Sequence, residues 1–301
     1  MIDFATLQGL TIPEGVVVKI ESGGRILWEM PTGGKAILEV AKITTNTYAG
    51  ETTYSGENFI LLDIYPKTNG TVSVTYGGLT KTITDTSGAE SPNAQQVFFG
   101  TLYGVSDSEE TPASGTLTIE GDYSAFGCGA YNANKKGDDY ECACVTKILD
   151  FGASEYIPDR AFAINLLDKS GALGLTGELV IPSTVKTIGG SAFVQCLQLT
   201  SVTIGEGVVS IGSGAFVMVD VTKNHAVPSV ITMLPENPPT LGYKTADDGT
   251  ISYNVFGTTG EDEAGEVVEY YPTIIVPKGC GEIYKTAEGW IEYADYIVEA
   301  S

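Results

Sequence analysis

Apolar and polar positions alternate with a period of two along much of this chain, but between Leu179 and Phe216 a longer period takes over. The stretch LVIPSTVKTIGGSAFVQCLQLTSVTIGEGVVSIGSGAF states one pattern twice. Ile181 recurs as Ile204, Val185 as Val208, Ile188 as Ile211, Ala192 as Ala215 and Phe193 as Phe216, each 23 residues on. Seven of the seventeen positions in Ile181–Leu197 match their partners, which is enough to set a period. A period of this length marks stacked units, each burying its apolar face only against its neighbours. Ile188 and Phe193 lie too far apart to share one strand face, and Gly189-Gly190 between them turns the backbone. Each unit is therefore expected to be one coil turn of strand, bend, bulky plug and bend. Ile188, Phe193, Ile211 and Phe216 fill the interior of such a coil.

Weaker copies flank this pair. Ile157, Ala161 and Phe162 repeat the Ile, Ala, Phe spacing at an offset of 31, so about eight residues are inserted after Phe162. Val221–Val227 reads as a polar insert, Val230–Leu234 as a resumed strand and Tyr243–Gly249 as an exposed loop. Asn254-Val255-Phe256-Gly257 is a worn copy of the Ala-Phe plug, and Glu261–Glu269 is an acidic excursion. Thr273–Val276 reads as the last strand. Gly281–Ala287 can form a short helix, and Trp290, Tyr293 and Ile297 are spaced to cover the open end of the coil.

Upstream the period is that of strands. Ala36–Ile43, Asn58–Tyr65, Thr71–Tyr76, Leu79–Thr84, Gln96–Leu102 and Gly115–Glu120 are strand candidates separated by turn signals. Gly77-Gly78 between two alternating runs is a two-residue hairpin turn. Short strands at this spacing fit an immunoglobulin-like β-sandwich, although the inter-sheet cysteine pair is missing. Val16–Ile20 and Ile26–Trp28 around Ser22-Gly23-Gly24 predict a further hairpin, too small to stand alone. The fold class read from the sequence is mainly β. It comprises an N-terminal hairpin segment (1–31), an immunoglobulin-like β-sandwich (32–143) and a short repeat solenoid with a C-terminal cap (144–301).

Two resemblances sharpen this reading. LTGELVIPSTVKTIGGSAFVQCLQLTSVTI is similar to the BspA-type leucine-rich repeat of bacterial surface proteins, through Val185, Ile188, Gly189, Ala192, Phe193, Cys196 and Leu199. The next copy keeps Val208, Ile211, Gly212, Ala215 and Phe216 but has Val219 where the cysteine stood. The ending IIVPKGCGEIYKTAEGWIEYADYIV resembles the closing segment of such arrays. The N-terminal wording around Leu10–Glu29 resembles tail-associated proteins encoded by prophages of gut Firmicutes. The first likeness implies an extracellular or cell-surface protein and the second a virion-associated one. The N-terminus itself has neither the basic segment nor the long apolar core of a secretory signal peptide.

Charge narrows the partners. The net charge is −22, which repels nucleic-acid phosphates and anionic membrane surfaces, and no apolar run is long enough for membrane insertion. Oligomeric state is left open. The five cysteines, Cys128, Cys142, Cys144, Cys196 and Cys280, make no disulfide framework; Cys128 could pair with Cys142 or Cys144, and Cys196 reads as an interior thiol. The only histidine, His225, reads as a solvated loop residue. Asp138-Asp139, Asp247-Asp248 and Glu261-Asp262-Glu263 offer oxygen ligands for calcium but lack a ligand pattern. No catalytic motif is present, so no catalytic, cofactor-binding or metal residue is assigned and no cofactor is expected. Tyr243, Tyr253, Tyr270 and Tyr271 fall in or beside the irregular C-terminal loops, where tyrosine serves well as an anchor. The expected function is noncatalytic: a repeat surface that recognises a host or bacterial surface protein or glycan. The competing reading is a carbohydrate-active or peptide-cleaving enzyme using carboxylates without a recognisable motif.

Overall fold

The computed structural model describes residues 19–22, 25–29, 34–41, 43–44, 58–86, 94–100, 111–112, 114–128, 145–164, 174–219, 226–261 and 266–301. The chain is mainly β. β1 (Lys19–Ser22) and β2 (Arg25–Glu29) pair antiparallel, as the two apolar runs predict. The next nine strands are β3 (Ala36–Ala41), β4 (Ile43–Thr44), β5 (Asn58–Pro66), β6 (Thr71–Tyr76), β7 (Leu79–Thr84), β8 (Gln95–Gly100), β9 (Ser114–Gly121), β10 (Tyr123–Gly127) and β11 (Val145–Phe151). They form two antiparallel sheets: one has the order β10-β5-β4 with β8 also on β5, the other β11-β3-β9-β6-β7. Alternation drives the pairing, because Leu38, Val40, Leu62, Ile64, Val72 and Val74 are all buried while their neighbours in sequence are not. Tyr76 meets Phe99 of the other sheet with ring centroids 5.8 Å apart. Gly77 and Gly78, at φ 59° and 84°, make the tight β6–β7 turn that only such a pair accommodates easily.

From β12 onward the strands run parallel, except in two hairpins. The long ones are β13 (Thr176–Ile181), β15 (Gln198–Ile204), β18 (Val230–Met233), β24 (Thr273–Val276) and β25 (Ile297–Glu299), hydrogen-bonded in that order. The short ones, β12 (Tyr156–Ile157), β14 (Thr187–Ile188), β16 (Ser210–Ile211) and β19 (Thr240–Leu241), form a second parallel sheet. The 23-residue offset is the register itself, since Leu179 sits beside Val202 and Ile188 beside Ile211. On a third side the Phe162 N–H donates to the Ala192 carbonyl at 2.8 Å. Phe193 does the same to Ala215 at 2.8 Å and Phe216 to Val255 at 2.9 Å. The Asn254–Gly257 copy therefore occupies the plug position, with Phe256 fully buried.

These three backbone ladders bring one phenylalanine per turn into a column. Phe162–Phe193, Phe193–Phe216 and Phe216–Phe256 stack with centroids 5.4, 5.0 and 6.0 Å apart and planes within 16°. At each end the rings turn edge-on: Phe126 meets Phe162 at 81°, and Tyr293 meets Phe256 at 75°. Trp290 and Tyr293 lie in a 3-10 helix (Trp290–Tyr296) that follows α1 (Gly281–Thr286). The cap is tied down by polar tips, as Trp290 Nε1 donates to the Pro239 carbonyl at 2.7 Å and the Tyr284 hydroxyl to Pro235 at 2.8 Å.

Several expectations need correction. Thr273–Val276 is not the last strand, because after the cap helices Ile297–Glu299 returns to add a fifth parallel strand beside it. Tyr243–Gly249 is not a plain loop: β20 (Lys244–Thr245) pairs antiparallel with β21 (Ile251–Ser252) as an exposed hairpin. The acidic excursion likewise leaves along β22 (Phe256–Glu261) and returns antiparallel along β23 (Val267–Tyr270), while β22 also pairs parallel with β17 (Phe216–Val219). The backbone does turn at Gly189-Gly190, with the Ala192 N–H donating to the Gly189 carbonyl at 3.4 Å, but the positive φ values fall at Arg160, Ser191 and Gly214, at 57°, 55° and 72°. Gly189 is small because turns touch there, its ideal Cβ falling 2.4 Å from the Asp159 nitrogen. The insert after Phe162 and most of the polar insert after Val221 lie outside the described residues.

The antiparallel and parallel parts share one core. Besides the Phe126–Phe162 contact, the Cys128 N–H donates to the Ala161 carbonyl at 2.8 Å. β11, which follows directly on the boundary at residue 144, pairs with β3 in the antiparallel sheet.

Removing a ring from mid-column leaves a cavity that the ladders hold open. Phe193→Ala is expected to lower unfolding free energy by about 3–5 kcal/mol in urea denaturation. Gly212→Ala would place a Cβ 2.4 Å from the Gly190 nitrogen. It should cost about 1–3 kcal/mol. The neighbouring Gly190→Ala, whose Cβ comes no nearer than 3.4 Å to anything, should cost clearly less in the same assay.

Candidate binding surface

The five-stranded parallel sheet has one face in the core and one outside. Strand alternation sends Leu179, Val202, Ile231, Ile274 and Ile297 inward as one row, and Ile181, Ile204, Met233 and Val276 inward as another. Two rows face out. One runs Glu178, Ser201, Val230, Thr273 and the other Val180, Thr203, Thr232, Ile275, Val298. All nine are half-buried or exposed. Strands about 4.8 Å apart make this a grid about 19 Å across. Of its nine side chains only Glu178 is charged, in a chain of net charge −22. Hydroxyls and methyls are interspersed on it, so it can offer hydrogen bonds and close contact without desolvating an ion. Sequence reasoning did not single out these residues, although the E-L-V-I, S-V-T-I and V-I-T-M runs carry the alternation.

At the C-terminal end the four singled-out tyrosines are dispersed. Tyr243 is exposed and meets Tyr253 edge-on at 5.7 Å, and the Tyr253 hydroxyl donates to Glu288 Oε1 at 2.6 Å. That bond, followed by burial and the surrounding acidic groups, pushes the Tyr253 phenol up to about 12. Tyr271 packs at 4.9 Å against Tyr296 and at 5.7 Å against Tyr293, with its hydroxyl on Glu269. Burial first and Glu269 second push the Tyr271 phenol up. Tyr270 donates to the Glu261 carbonyl at 3.3 Å. Tyr243 and Tyr253 thus make one group, and Tyr271 makes another with Tyr293 and Tyr296.

The remaining candidates are structural where they are described. Asp248 accepts the Thr250 N–H at 2.9 Å across the β20–β21 turn, which holds its carboxyl below the usual range. His225, Asp138-Asp139, Asp262 and Glu263 lie outside the described residues, as do Cys142 and Cys144, the two partners considered for Cys128. Cys128 is buried. Among the described residues, no group of three or more His, Cys, Asp or Glu is placed to hold a metal ion. No described helix is long and apolar enough to cross a membrane. Cys196 is fully buried and donates to the Phe162 carbonyl at 3.2 Å, bridging two turns. Burial pushes its thiol up to about 12.

Residues 174–238 match the family model for the BspA type leucine rich repeat region (6 copies), about a fifth of the chain. This is the segment holding β13 to β18, where the period is clearest. No curated protein matches the chain.

Since the thiolate is the reactive form, Cys196 should stay unmodified when the native protein is treated with iodoacetamide at pH 8. Peptide mass mapping should find it alkylated only after denaturation, whereas the half-exposed Cys280 should label in the native state.

Proposed function

We propose that this chain is a noncatalytic, surface-associated recognition protein. In this reading the parallel strands within residues 144–301 form a short leucine-rich-repeat solenoid with its cap, and the two antiparallel sheets, built from residues 32–143 together with β11, are an immunoglobulin-like sandwich that presents it. The ligand is a protein or a glycan on a cell surface, met at a bacterial surface or by a phage tail. The observation that carries the reading is the outward grid of Ser201, Thr203, Val230, Thr232, Thr273 and Ile275, an almost uncharged face on a strongly acidic chain. An acidic surface keeps the protein soluble and repels anionic polymers, so a neutral plane is where close approach costs least. The match of residues 174–238 to a repeat family supports surface association.

The test is a screen of the full chain against immobilised glycans and cell-surface extracts. Thr232→Arg, in the middle strand of the grid, should leave the melting temperature within about 2 °C of the parent. It should also lower retention at least tenfold. Retention unchanged by Thr232→Arg and Thr203→Arg would remove the grid from the binding role. Turnover of a bound ligand, abolished by one Asp or Glu substitution, would replace the reading with an enzymatic one.

A further inference from the structure

Ala192 follows Ile188 and Ala215 follows Ile211 by four positions, but Val255 follows Leu241 by fourteen. The fourth turn thus carries an insertion that the fold does not need for its ladders, and this insertion is ordered. β20 and β21 pair, the Gly249 N–H donates to Ala246 at 2.9 Å, and the Ala246 N–H to Thr250 at 2.8 Å. Its two roots are Tyr243 and Tyr253, whose rings meet at 61° to form an open corner. The corner is braced from the cap. A Cβ on Gly289 would lie 2.5 Å from the Tyr253 ring, and this glycine also sits at φ 78°, so the ring rests directly on cap backbone.

The chemistry of the corner is one-sided. The Tyr253 hydroxyl is spent on Glu288, which leaves the second Glu288 oxygen as an acceptor at the edge of that ring, with the Glu292 carboxylate near enough to act on the same phenol. Of the four groups that make the corner, only the Tyr243 hydroxyl is left as a side-chain donor. A sugar brings donors and acceptors together and would leave its acceptors unmet here. A guanidinium or ammonium brings donors only, and it is attracted to the face of an aromatic ring. The wider field agrees, since residues 226–301 hold thirteen Asp and Glu against three Lys and no Arg.

We propose that the Tyr243–Tyr253 corner with the Glu288 and Glu292 carboxylates is a cation subsite that takes an arginine or lysine side chain from a basic segment of a protein partner. The proposal rests on the reading of the chain as a recognition protein and commits its partner to protein rather than glycan. The subsite lies at the capped end of the stack and not on the outward grid, so the two can be tested apart.

The experiment is calorimetric titration of the full chain with three probes: an Arg-Gly-Gly repeat peptide, the same peptide with Gln for Arg, and a neutral hexose oligosaccharide. The arginine peptide should bind, more weakly at 150 mM than at 20 mM NaCl, and the other two should not. Tyr243→Ala and Glu288→Gln should each lower its affinity at least fivefold. Glu282→Gln, an equal loss of charge on α1, and Thr232→Arg on the grid should change it less than twofold. Glu288→Gln keeps an acceptor for the Tyr253 hydroxyl, so circular dichroism should be unchanged. The proposal fails if Glu282→Gln and Glu288→Gln weaken the peptide equally, because the attraction is then only net charge. It fails also if the oligosaccharide binds and the peptide does not. Failure of the peptide with intact, grid-dependent retention on surface material would overturn the subsite and leave the recognition role standing.

Discussion

Everything in the second half of the molecule depends on one stacking contact repeated along an axis. Phe162, Phe193, Phe216 and Phe256 lie face to face because the ladders on either side fix successive turns about one strand spacing apart. At that pitch a planar ring is among the few large side chains that can repeat without clash. Backbone pairing and ring stacking therefore demand the same geometry, and each holds the other in place. The glycines at Gly189, Gly212 and Gly242 belong to the same demand, since each lies where a side chain would strike the turn before it.

A column of this kind has two ends, and both are covered by aromatic edges. The Phe126 edge on Phe162 makes the antiparallel sheets the lid at one end, and Tyr293 and Trp290 close the other. The lid is continuous with the column through a shared core, so the first turn needs no separate capping unit. Glu299 secures the far end by accepting the Gly279 and Gly281 N–H groups at 2.9 and 2.8 Å, which holds its carboxyl below the ordinary range.

The sequence was most legible where one interaction repeats. The 23-residue spacing found the inward Ile and Phe positions and the register that joins them. Strand candidates in the first half lie close to the observed strands because alternation there is regular. Several strands were not read from the sequence, and for two of them the physical reason is plain. Val145–Phe151 has register shifts after Val145 and after Ile148, so its buried residues, Val145, Ile148 and Phe151, fall three apart and hide the period of two. Ile297–Glu299 is too short to show any alternation and follows a helical turn. The outward grid escaped notice because Ser, Thr and Val carry no chemical signature one by one. It exists only once four or five strands lie side by side. The Tyr243–Tyr253 corner was half legible: both tyrosines stood out, but their pairing depends on a hairpin between them.

The three-ladder geometry also determines where the chain can be lengthened. Each turn commits only its strand, its short strand and its Ala-Phe pair, and the segments between are corners. The β20–β21 hairpin departs from one corner and the β22–β23 hairpin from the next, and the ring order passes both undisturbed. Corners are thus ports for new sequence, whereas the sides are closed to it. A foreign loop grafted in place of residues 244–252 would inherit a rigid mount without touching the register beneath.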